Sequence, residues 1–417
     1  MVFSLQTGKS KVFKSEEAIT VDIVVTSGGE PLAGAMIFLV TKDNDDSDQI
    51  HVHSGLADTN GKGQLCYKPA EETPFYISAM SGYGTWYGAS KKFTGTAYIE
   101  CPPMKSQGML GWWHKRVGIE VYNPNLGQDI RVGLVDSGVG PHPYLKQVHD
   151  MGAIIGGEWS ANGSDVSYHG TMMAGLIAAR PTTQEHPGGI APGVDLYSLR
   201  VYPSGSQGAK RSDVAAAITM LTKKADVDLI NLSLSCEEPS DVQKQAISDA
   251  RAQGVLCIAA AGNDTEPPVR YPAKFPGVVA VGASGYGLEP GPTLATNAVF
   301  RPEAPAMNGD ERDYLSVVSS YGDGLFCLAP GTAIASTVKS PNGEALYASQ
   351  LGSSDAVAIV TAVLAAKLSK DKDYKGLPRD GARADYAERT LKEMCQPLGM
   401  KPPYEGIGMP RLYSLSN

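Results

Sequence analysis

The chain lacks several features that would assign it to a specialised class of protein. Six cysteines in 417 residues, none in a Cys-x-x-Cys pair, are too few for a disulfide framework and indicate free thiols. The longest notable apolar run, Ala356 to Ala366, is far shorter than the ~20 residues of a membrane span. The N-terminal segment MVFSLQTGKSKVFKSEE has no continuous apolar stretch typical of a secretory signal. These absences predict a cytoplasmic protein without a membrane span.

A basic charge excess is also missing. Asp and Glu total 44 against 36 Lys and Arg, which gives a formal net charge of −8. Nucleic-acid binders usually present a basic face, so this balance argues against a nucleic-acid partner. Hydrophobic residues at 42% and charged residues at 19% indicate a folded, globular chain. At roughly 100–200 residues per domain, the length predicts two or three domains.

Residues 1–104 have a strand-like composition, and the first arginine in the chain is Arg116. Stretches rich in β-branched and aromatic residues alternate with Gly- and Pro-containing turns, which predicts short strands. This spacing predicts a small all-β sandwich of about 100 residues. The run GEPLAGAMIFL and the later ADTNGKGQLCY resemble bacterial Ig-like and carboxypeptidase-regulatory-like modules. The predicted strands are Ala18–Thr26, Ala33–Thr41, Pro74–Met80 and Thr94–Ile99.

Residues 105–417 show strand patterns that alternate with helical patterns. This alternation predicts an α/β domain with a parallel sheet covered by helices on both faces. The predicted strands are Ile130–Val135, Asp195–Val201, Val227–Leu234, Val255–Ala261 and Val278–Gly282. The predicted helices are Tyr168–Arg180, Ser212–Lys224, Ser240–Gln253 and Ser354–Ser369.

Four polar residues stand where these predicted strands and helices meet, which is where α/β folds usually place their sites. Asp136 follows an apolar strand, and Asn263 ends the apolar run IAAAGN. His169 and Ser354 each begin a predicted helix. Catalysis by a serine nucleophile requires a base, a group that orients the base, and fixed donors for the oxyanion. The sequence supplies all of these residue types.

The order Asp, His, Ser and the flanking residues resemble the subtilisin-like serine proteases, the subtilases. The resemblance runs from about Gly108 to the C-terminus. It is carried by the motifs VGLVDSGVG, HGTMMAGLIAA, GIAPGVDLYSLRV, LINLSLS, AAAGN and YPAKFPGVVAVGA, in that order along the chain. It implies a subtilisin-like fold for residues 105–417.

The resemblance also implies a role for each residue of the site. Ser354 would attack the scissile carbonyl, His169 would act as general base and then general acid, and Asp136 would orient His169. Asn263 and the backbone N–H of Ser354 would form the oxyanion hole. The implied substrate-binding residues are Ser233, Leu234, Ser235, Ala261 and Gly262.

The sequence departs from the family pattern at three places. Asp355 follows the predicted nucleophile directly, and the proline usual in this motif is absent. An anion beside a developing oxyanion repels it, so Asp355 points away, pairs with a cation or slows the enzyme. Ser235 stands where the family normally has glycine, which would narrow the cleft. The segment Tyr286–Asp313 is interpreted as an insertion relative to the family pattern.

Metal and specificity signals are weaker. His51 and His53 alternate on a strand, and surface histidines are favoured over a metal pair. The acidic stretch from Asp43 to Asp48 lacks the Gly and Glu of a calcium loop. We therefore predict no metal ligands and no cofactor for the chemistry, although the resemblance allows structural calcium. Asp264 occupies the mouth of the family's specificity pocket, which leaves a preference for basic residues open.

Two functions of different classes remain at this point. The first is a serine endopeptidase acting on peptides or protein segments in an extended conformation, with dedicated intracellular processing as one role open to it. The second is a catalytically silent subtilase-fold protein that holds a peptide in the same cleft. An intact set of Asp136, His169 and Ser354 favours the enzyme. The sequence names neither the natural substrate nor the oligomeric state.

Overall fold

The structure is a computed structural model. It describes residues 18–44, 50–80, 84–104, 106, 108–205, 208–264, 266–287, 300–305 and 313–412. Most of the predicted insertion between Tyr286 and Asp313 lies outside these residues, as does the acidic stretch 45–49.

The N-terminal region is all-β, as predicted. Val21, Ile23 and Val25 are buried at alternate positions of the first strand, which is the pattern of a strand with one face on a core. Two four-stranded sheets, β2-β1-β5 with β8 beside β1 and β4-β3-β6-β7, share one hydrophobic core. Strands β1–β8 are Ile19–Ser27, Glu30–Pro31, Met36–Asp43, Ile50–Leu56, Lys62–Tyr67, Glu72–Met80, Gly88–Ser90 and Gly95–Glu100. The Ig-like resemblance and the domain boundary at 104/105 stay predictions.

The rest of the chain is built on a ten-stranded sheet in the order β11-β10-β12-β9-β13-β14-β15-β17-β16, with β18 beside β15. The six pairings from β10 to β15 and on to β18 are parallel, which confirms the predicted α/β class. Strands β9–β18 are Arg131–Asp136, His149–Ile155, Glu158–Ser160, Asp195–Arg200, Leu229–Leu232, Leu256–Ala260, Val278–Tyr286, Phe300–Pro305, Asp313–Ser316 and Cys327–Pro330. Two short hairpin pairs follow: β19 (Ile334–Thr337) with β20 (Tyr347–Gln350), and β21 (Cys395–Gln396) with β22 (Met409–Pro410).

Helices cover both faces of this sheet. Along β14, Leu256 and Ile258 enter one hydrophobic core while Cys257 and Ala259 enter the other, as the two-residue period of a strand requires. Helices α1–α8 are Trp112–Arg116, His169–Ala178, Arg211–Met220, Asp241–Ala252, Ser353–Leu368, Lys372–Gly376, Gly381–Met394 and Pro402–Glu405. Side chains of α2 and α5 fill the first core, and those of α3 and α4 fill the second. None of the helices in the described residues has the length and apolar character needed to cross a bilayer.

Helix α5 is buried along almost its whole length. Its sequence SSDAVAIVTAVLAAKL is apolar on every side, which is typical of a helix enclosed by protein. Fifteen of its 16 residues are buried, from Ser353 to Leu368 with Lys367 as the exception. It packs on α2 and on strands β13, β14, β15 and β18. This packing fixes the position of the serines at its first turn.

The N-terminal region contacts the strand that leads into α5. The backbone N–H of Tyr87 donates to the Ser349 hydroxyl oxygen at 2.9 Å, and that hydroxyl donates to the Thr85 carbonyl oxygen at 3.3 Å. The N–H of Gly84 donates to the Tyr347 carbonyl oxygen at 2.7 Å. Tyr87 belongs to the same hydrophobic core as α5. The segment from Gly84 to Tyr87, between β6 and β7, therefore holds β20 from outside the α/β region.

We expect Ser349→Ala to lower the free energy of unfolding by about 1–3 kcal/mol. The change leaves the buried N–H of Tyr87 without its acceptor, and an unsatisfied buried donor costs about that amount. Urea denaturation of the full chain measures the effect. Ser90→Ala is the matched control, since it removes an exposed hydroxyl acceptor for the Lys92 N–H. An equal loss in both variants would contradict a special role for Ser349.

Candidate active site

Asp136 and His169 form a buried pair at one end of the sheet. Asp136 is the last residue of β9, and His169 is the first residue of α2. The His169 Nδ1 and Asp136 Oδ1 atoms are 2.8 Å apart, and the two side chains are 5% and 1% exposed. Because the carboxylate can only accept, Nδ1 carries the hydrogen and a neutral imidazole has its lone pair on Nε2. This is the tautomer that a general base needs.

The pair also changes the acidity of His169. Burial by itself lowers the pKa of His169, because it disfavours the charged imidazolium. The negative charge of Asp136 and the hydrogen bond to it outweigh burial, so the net pKa of His169 is raised above its usual value. The imidazole is therefore tuned to take up a proton and hold it next to a carboxylate.

A second buried carboxylate shapes the loop before α2. Asp165 accepts hydrogen bonds from the backbone N–H groups of Tyr168 and Thr171 at 3.0 and 3.1 Å. It also accepts from the Ser137 hydroxyl at 2.8 Å, and Ser137 in turn accepts from the N–H of Gly170 at 2.9 Å. These bonds satisfy the free N–H groups of the first helical turn. Sequence reasoning missed Asp165, because it lies four residues before the helix start and not at the N-cap, where a capping side chain is expected.

The two serines at the start of α5 differ in their contacts. The Ser353 hydroxyl lies within hydrogen-bonding distance of the Asn263 Oδ1 atom, 2.9 Å, and of the Gly262 carbonyl oxygen, 3.1 Å. The Ser354 hydroxyl donates to the Ser233 carbonyl oxygen at 3.3 Å rather than to His169. Active-site hydrogen bonds are commonly loose before substrate binds. Ser353 is fully buried and Ser354 is 7% exposed, so Ser354 is the more accessible hydroxyl.

Asn263 is held by its side-chain oxygen. The backbone N–H of Ser353 donates to Asn263 Oδ1 at 2.8 Å, and the Ser353 hydroxyl also reaches that oxygen. Both bonds use Oδ1, so neither consumes the amide hydrogens on Nδ2. A side chain on Gly352 would approach that Nδ2 to 3.1 Å, which places the amide beside the turn that leads into Ser354.

The predicted substrate-binding residues divide into two groups. Ser233 and Ser354 are joined by two hydrogen bonds. The Ser354 hydroxyl donates to the Ser233 carbonyl oxygen, and the Ser233 hydroxyl donates to the Ser354 carbonyl oxygen at 2.9 Å. Leu234 and Ser235, the next residues, are partly exposed. Ala261 and Gly262 are buried, and their backbone groups form hydrogen bonds within the protein. The Ala261 N–H donates to the Val281 carbonyl oxygen, and the Gly262 carbonyl oxygen accepts from the Ser320 N–H. The structure thus brings Ser233 and Gly262 against the serines of α5.

The Asp264 carboxylate forms an ion pair with Arg270. Arg270 Nε donates to Asp264 Oδ2 at 2.9 Å, and the Arg270 backbone N–H donates to the Ala261 carbonyl oxygen at 2.8 Å. Burial still raises the pKa of Asp264 despite this cation. Because Arg270 neutralises Asp264, this residue gives no support to a preference for basic substrates.

The Asp355 side chain is turned away from solvent, and no lysine or arginine among the described residues forms an ion pair with it. Its side chain is 1% exposed, and the Gln350 side-chain amide donates to its Oδ1 atom. Burial raises the pKa of Asp355 to about 8. Of the three outcomes expected from the sequence, pairing with a cation is excluded for the described residues. Burial adds an outcome that the sequence did not predict, a carboxyl whose neutral form is favoured. Gln350 was not identified from sequence, since the strand YASQ carries no recognisable motif.

Metal ligands do not gather in the described part of the chain. No three His, Cys, Asp or Glu side chains within it come together as a metal site requires. His51 instead bonds to Asp43 and His53 to Glu72, each at 2.7 Å. Structural calcium stays a prediction without a ligand set.

An imidazole oriented by a buried carboxylate becomes chemically useful when a hydroxyl nucleophile stands near it. Ser354 is the second residue of the helix that packs on α2, and the residue after it, Asp355, acts electrostatically on His169. Such a combination on a parallel α/β sheet is typical of serine hydrolases. The model of the subtilase family matches residues 127–392. The chain therefore belongs to the subtilase family and is a subtilisin-like serine protease.

Individual relatives agree with this assignment. Subtilisin DY of Bacillus licheniformis is 32% identical over 215 residues, which are 50% of this chain and 73% of that protein. Alkaline elastase YaB of Bacillus sp. (strain YaB) is 31% identical over 251 residues, 60% of this chain and 57% of that protein. A solved protease structure from Pseudoalteromonas arctica has a TM-score of 0.55 and 22% identity, and the match covers 72% of this chain and 94% of that one. The structural likeness shows the fold alone.

We expect Asp355→Asn to stabilise the protein increasingly as the pH rises. The folded state raises the pKa of Asp355 from 3.8 to about 8, so folding favours the protonated form. The wild type should therefore lose stability relative to the variant between about pH 4 and pH 8, on the order of 1 kcal/mol per pH unit, and no further above pH 8. Urea denaturation across this range measures the difference.

Asp373→Asn serves as the control, because Asp373 is an exposed carboxyl on α6. Its free energy of unfolding should differ little from that of the wild type, because the side chain that it replaces is exposed. A constant difference for Asp355→Asn as well would contradict a buried, proton-holding Asp355.

Proposed function

We propose that the chain is a serine endopeptidase that cleaves peptide bonds by acyl transfer through Ser354. The observation that carries the proposal is the buried Asp136–His169 pair, whose geometry fixes a basic imidazole beside the first turn of α5. A protein that only held a peptide would have no use for an oriented, buried base. The catalytically silent alternative is therefore not favoured.

In this mechanism Ser354 Oγ attacks the scissile carbonyl carbon while its proton passes to His169 Nε2. Asp136 stabilises the imidazolium that forms, and His169 then gives the proton to the leaving amine. Water repeats the sequence to release the acyl group from Ser354. The raised pKa of His169 supports both steps, because the imidazole must hold the proton between them. No cofactor enters this chemistry.

The oxyanion would bind to the Asn263 amide and to the backbone N–H of Ser354. The hydrogen bonds that engage Asn263 Oδ1 support this role, because they orient the amide without using its Nδ2 hydrogens. Ser354 also lies in the first turn of α5, where the helix dipole favours negative charge. Removing an oxyanion donor of this kind typically costs about 10²–10³ in turnover.

The substrate would be a peptide segment in extended conformation. We place this peptide as an added strand beside Ser233, Leu234 and Ser235, which follow β13 beyond the end of its ladder. Ala261 and Gly262 would line the opposite side, next to Asn263. We propose no nucleic-acid or membrane partner.

We also propose a cytoplasmic processing role. All six cysteines are free, with three of them buried, which suits a reducing compartment. Fractionation of cells that make the protein tests the location, and recovery outside the cytoplasm would contradict it.

We expect Ser354→Ala to abolish hydrolysis of a disordered protein such as casein without unfolding the chain. Losing the nucleophile typically lowers turnover by more than about 10⁴-fold. The measurement is release of acid-soluble peptide, with thermal unfolding recorded for each variant. Ser353→Ala is the matched control: it removes the neighbouring hydroxyl and should keep measurable turnover. Casein hydrolysis by Ser354→Ala at the wild-type rate would contradict the assignment.

A further inference from the structure

Asp355 is a buried acid directly beside the proposed nucleophile. It is the third residue of α5 and follows Ser354. Its Oδ1 atom accepts the Gln350 amide, and its Oδ2 atom is buried with no hydrogen-bond partner among the described residues. A buried polar atom without a partner is costly, so its presence in a packed site requires an explanation.

The surroundings of Asp355 supply little positive charge. Among the described residues, no lysine or arginine forms an ion pair with it. Of the groups on elements that pack against α5, His169 on α2 acts on Asp355 electrostatically. β20 contributes the uncharged Gln350, and beyond the end of β13 the uncharged Ser233 bonds to Ser354, the residue before Asp355.

A carboxyl in this environment keeps its proton at neutral pH. Burial raises the pKa of Asp355 to about 8, and the bond from Gln350 and the nearby His169 only partly oppose that effect. Since Oδ1 already accepts a hydrogen bond, the proton belongs on Oδ2. The site therefore holds an uncharged acid, with a hydroxyl donor, one residue from the point where the oxyanion would form.

We propose that Asp355 supports acyl transfer only as a neutral acid, and that loss of its proton switches the site off. The inference rests on the proposed function of Ser354. The oxyanion carries a negative charge, and an ionised Asp355 in the same low-dielectric region would repel it. The neutral acid allows the Ser354 and Asn263 donors to act without that opposition.

An opposing effect makes the test decisive. An ionised Asp355 would also favour the imidazolium form of His169, because Asp355 raises the pKa of that residue. If that attraction were dominant, the reaction would accelerate when Asp355 ionises. The sign of the rate change above pH 8 therefore separates the two effects.

The experiment measures the second-order rate of labelling by a fluorophosphonate probe, on the full chain, from pH 6 to pH 10. With a pKa of about 8, the wild-type rate should fall about tenfold per pH unit once the pH is well above that value. Asp355→Asn, which keeps a neutral side chain of the same size, should label at neutral pH and show no such fall. Asp264→Asn is the control, since it removes the other nearby carboxyl whose pKa is raised, and it should keep the fall.

Gln350→Met provides a second variant in case Asp355→Asn fails to fold. Gln350 lowers the pKa of Asp355 through its hydrogen bond, so its loss should move the fall in labelling to higher pH. A wild-type rate that stays level or rises through pH 10, or a fall that persists unchanged in Asp355→Asn, would overturn the proposal. Absence of wild-type labelling at every pH would instead contradict the function proposed for Ser354.

Discussion

Burial of helix α5 is the constraint on which the rest of the peptidase region depends. The helix is apolar on all sides, so it must be enclosed, and four strands and α2 supply the enclosure. A helix packed in this way cannot shift along its axis without opening cavities. The packing therefore holds the first turn of the helix in place, and with it Ser353, Ser354 and Asp355.

The N-terminal sheets extend this constraint beyond the family's own fold. Tyr87 binds Ser349, and the next residue, Gln350, binds Asp355 at the start of α5. Hydrogen bonds to two adjacent residues of β20 therefore connect the N-terminal region with the first turn of α5. Among the roles open to an accessory β region, these contacts favour stabilisation of the catalytic region over recruitment of substrate.

Much of the architecture was predictable because it follows local patterns. Alternating apolar strands and helices gave the parallel sheet, and the predicted Val255–Ala261 strand appears as Leu256–Ala260. The sequence predicts one helix over Ser212–Lys224. In the structure the α-helix α3 ends at Met220, and a π-helical turn, Leu221–Ala225, follows it. Helix termini depend on packing that a sequence pattern does not contain.

The environment of the site was less predictable, because it depends on residues far apart in the chain. Sequence identified Asp136, His169, Ser354 and Asn263, and the first two meet in the structure across 33 positions. It placed Asp355 beside Ser354 but could not show that burial would raise the pKa of Asp355 or that Gln350 would donate a hydrogen bond to it. The pairing of Asp264 with Arg270 also required the fold of the loop between them.

The central claim is that the hydroxyl at the second position of α5 is an activated nucleophile. The most direct measurement is to react the full chain with a fluorophosphonate at neutral pH, digest it, and locate the adduct by mass spectrometry. The account predicts a single phosphonyl group on Ser354. An adduct on Ser353 or elsewhere, or no adduct on the folded protein, would contradict it.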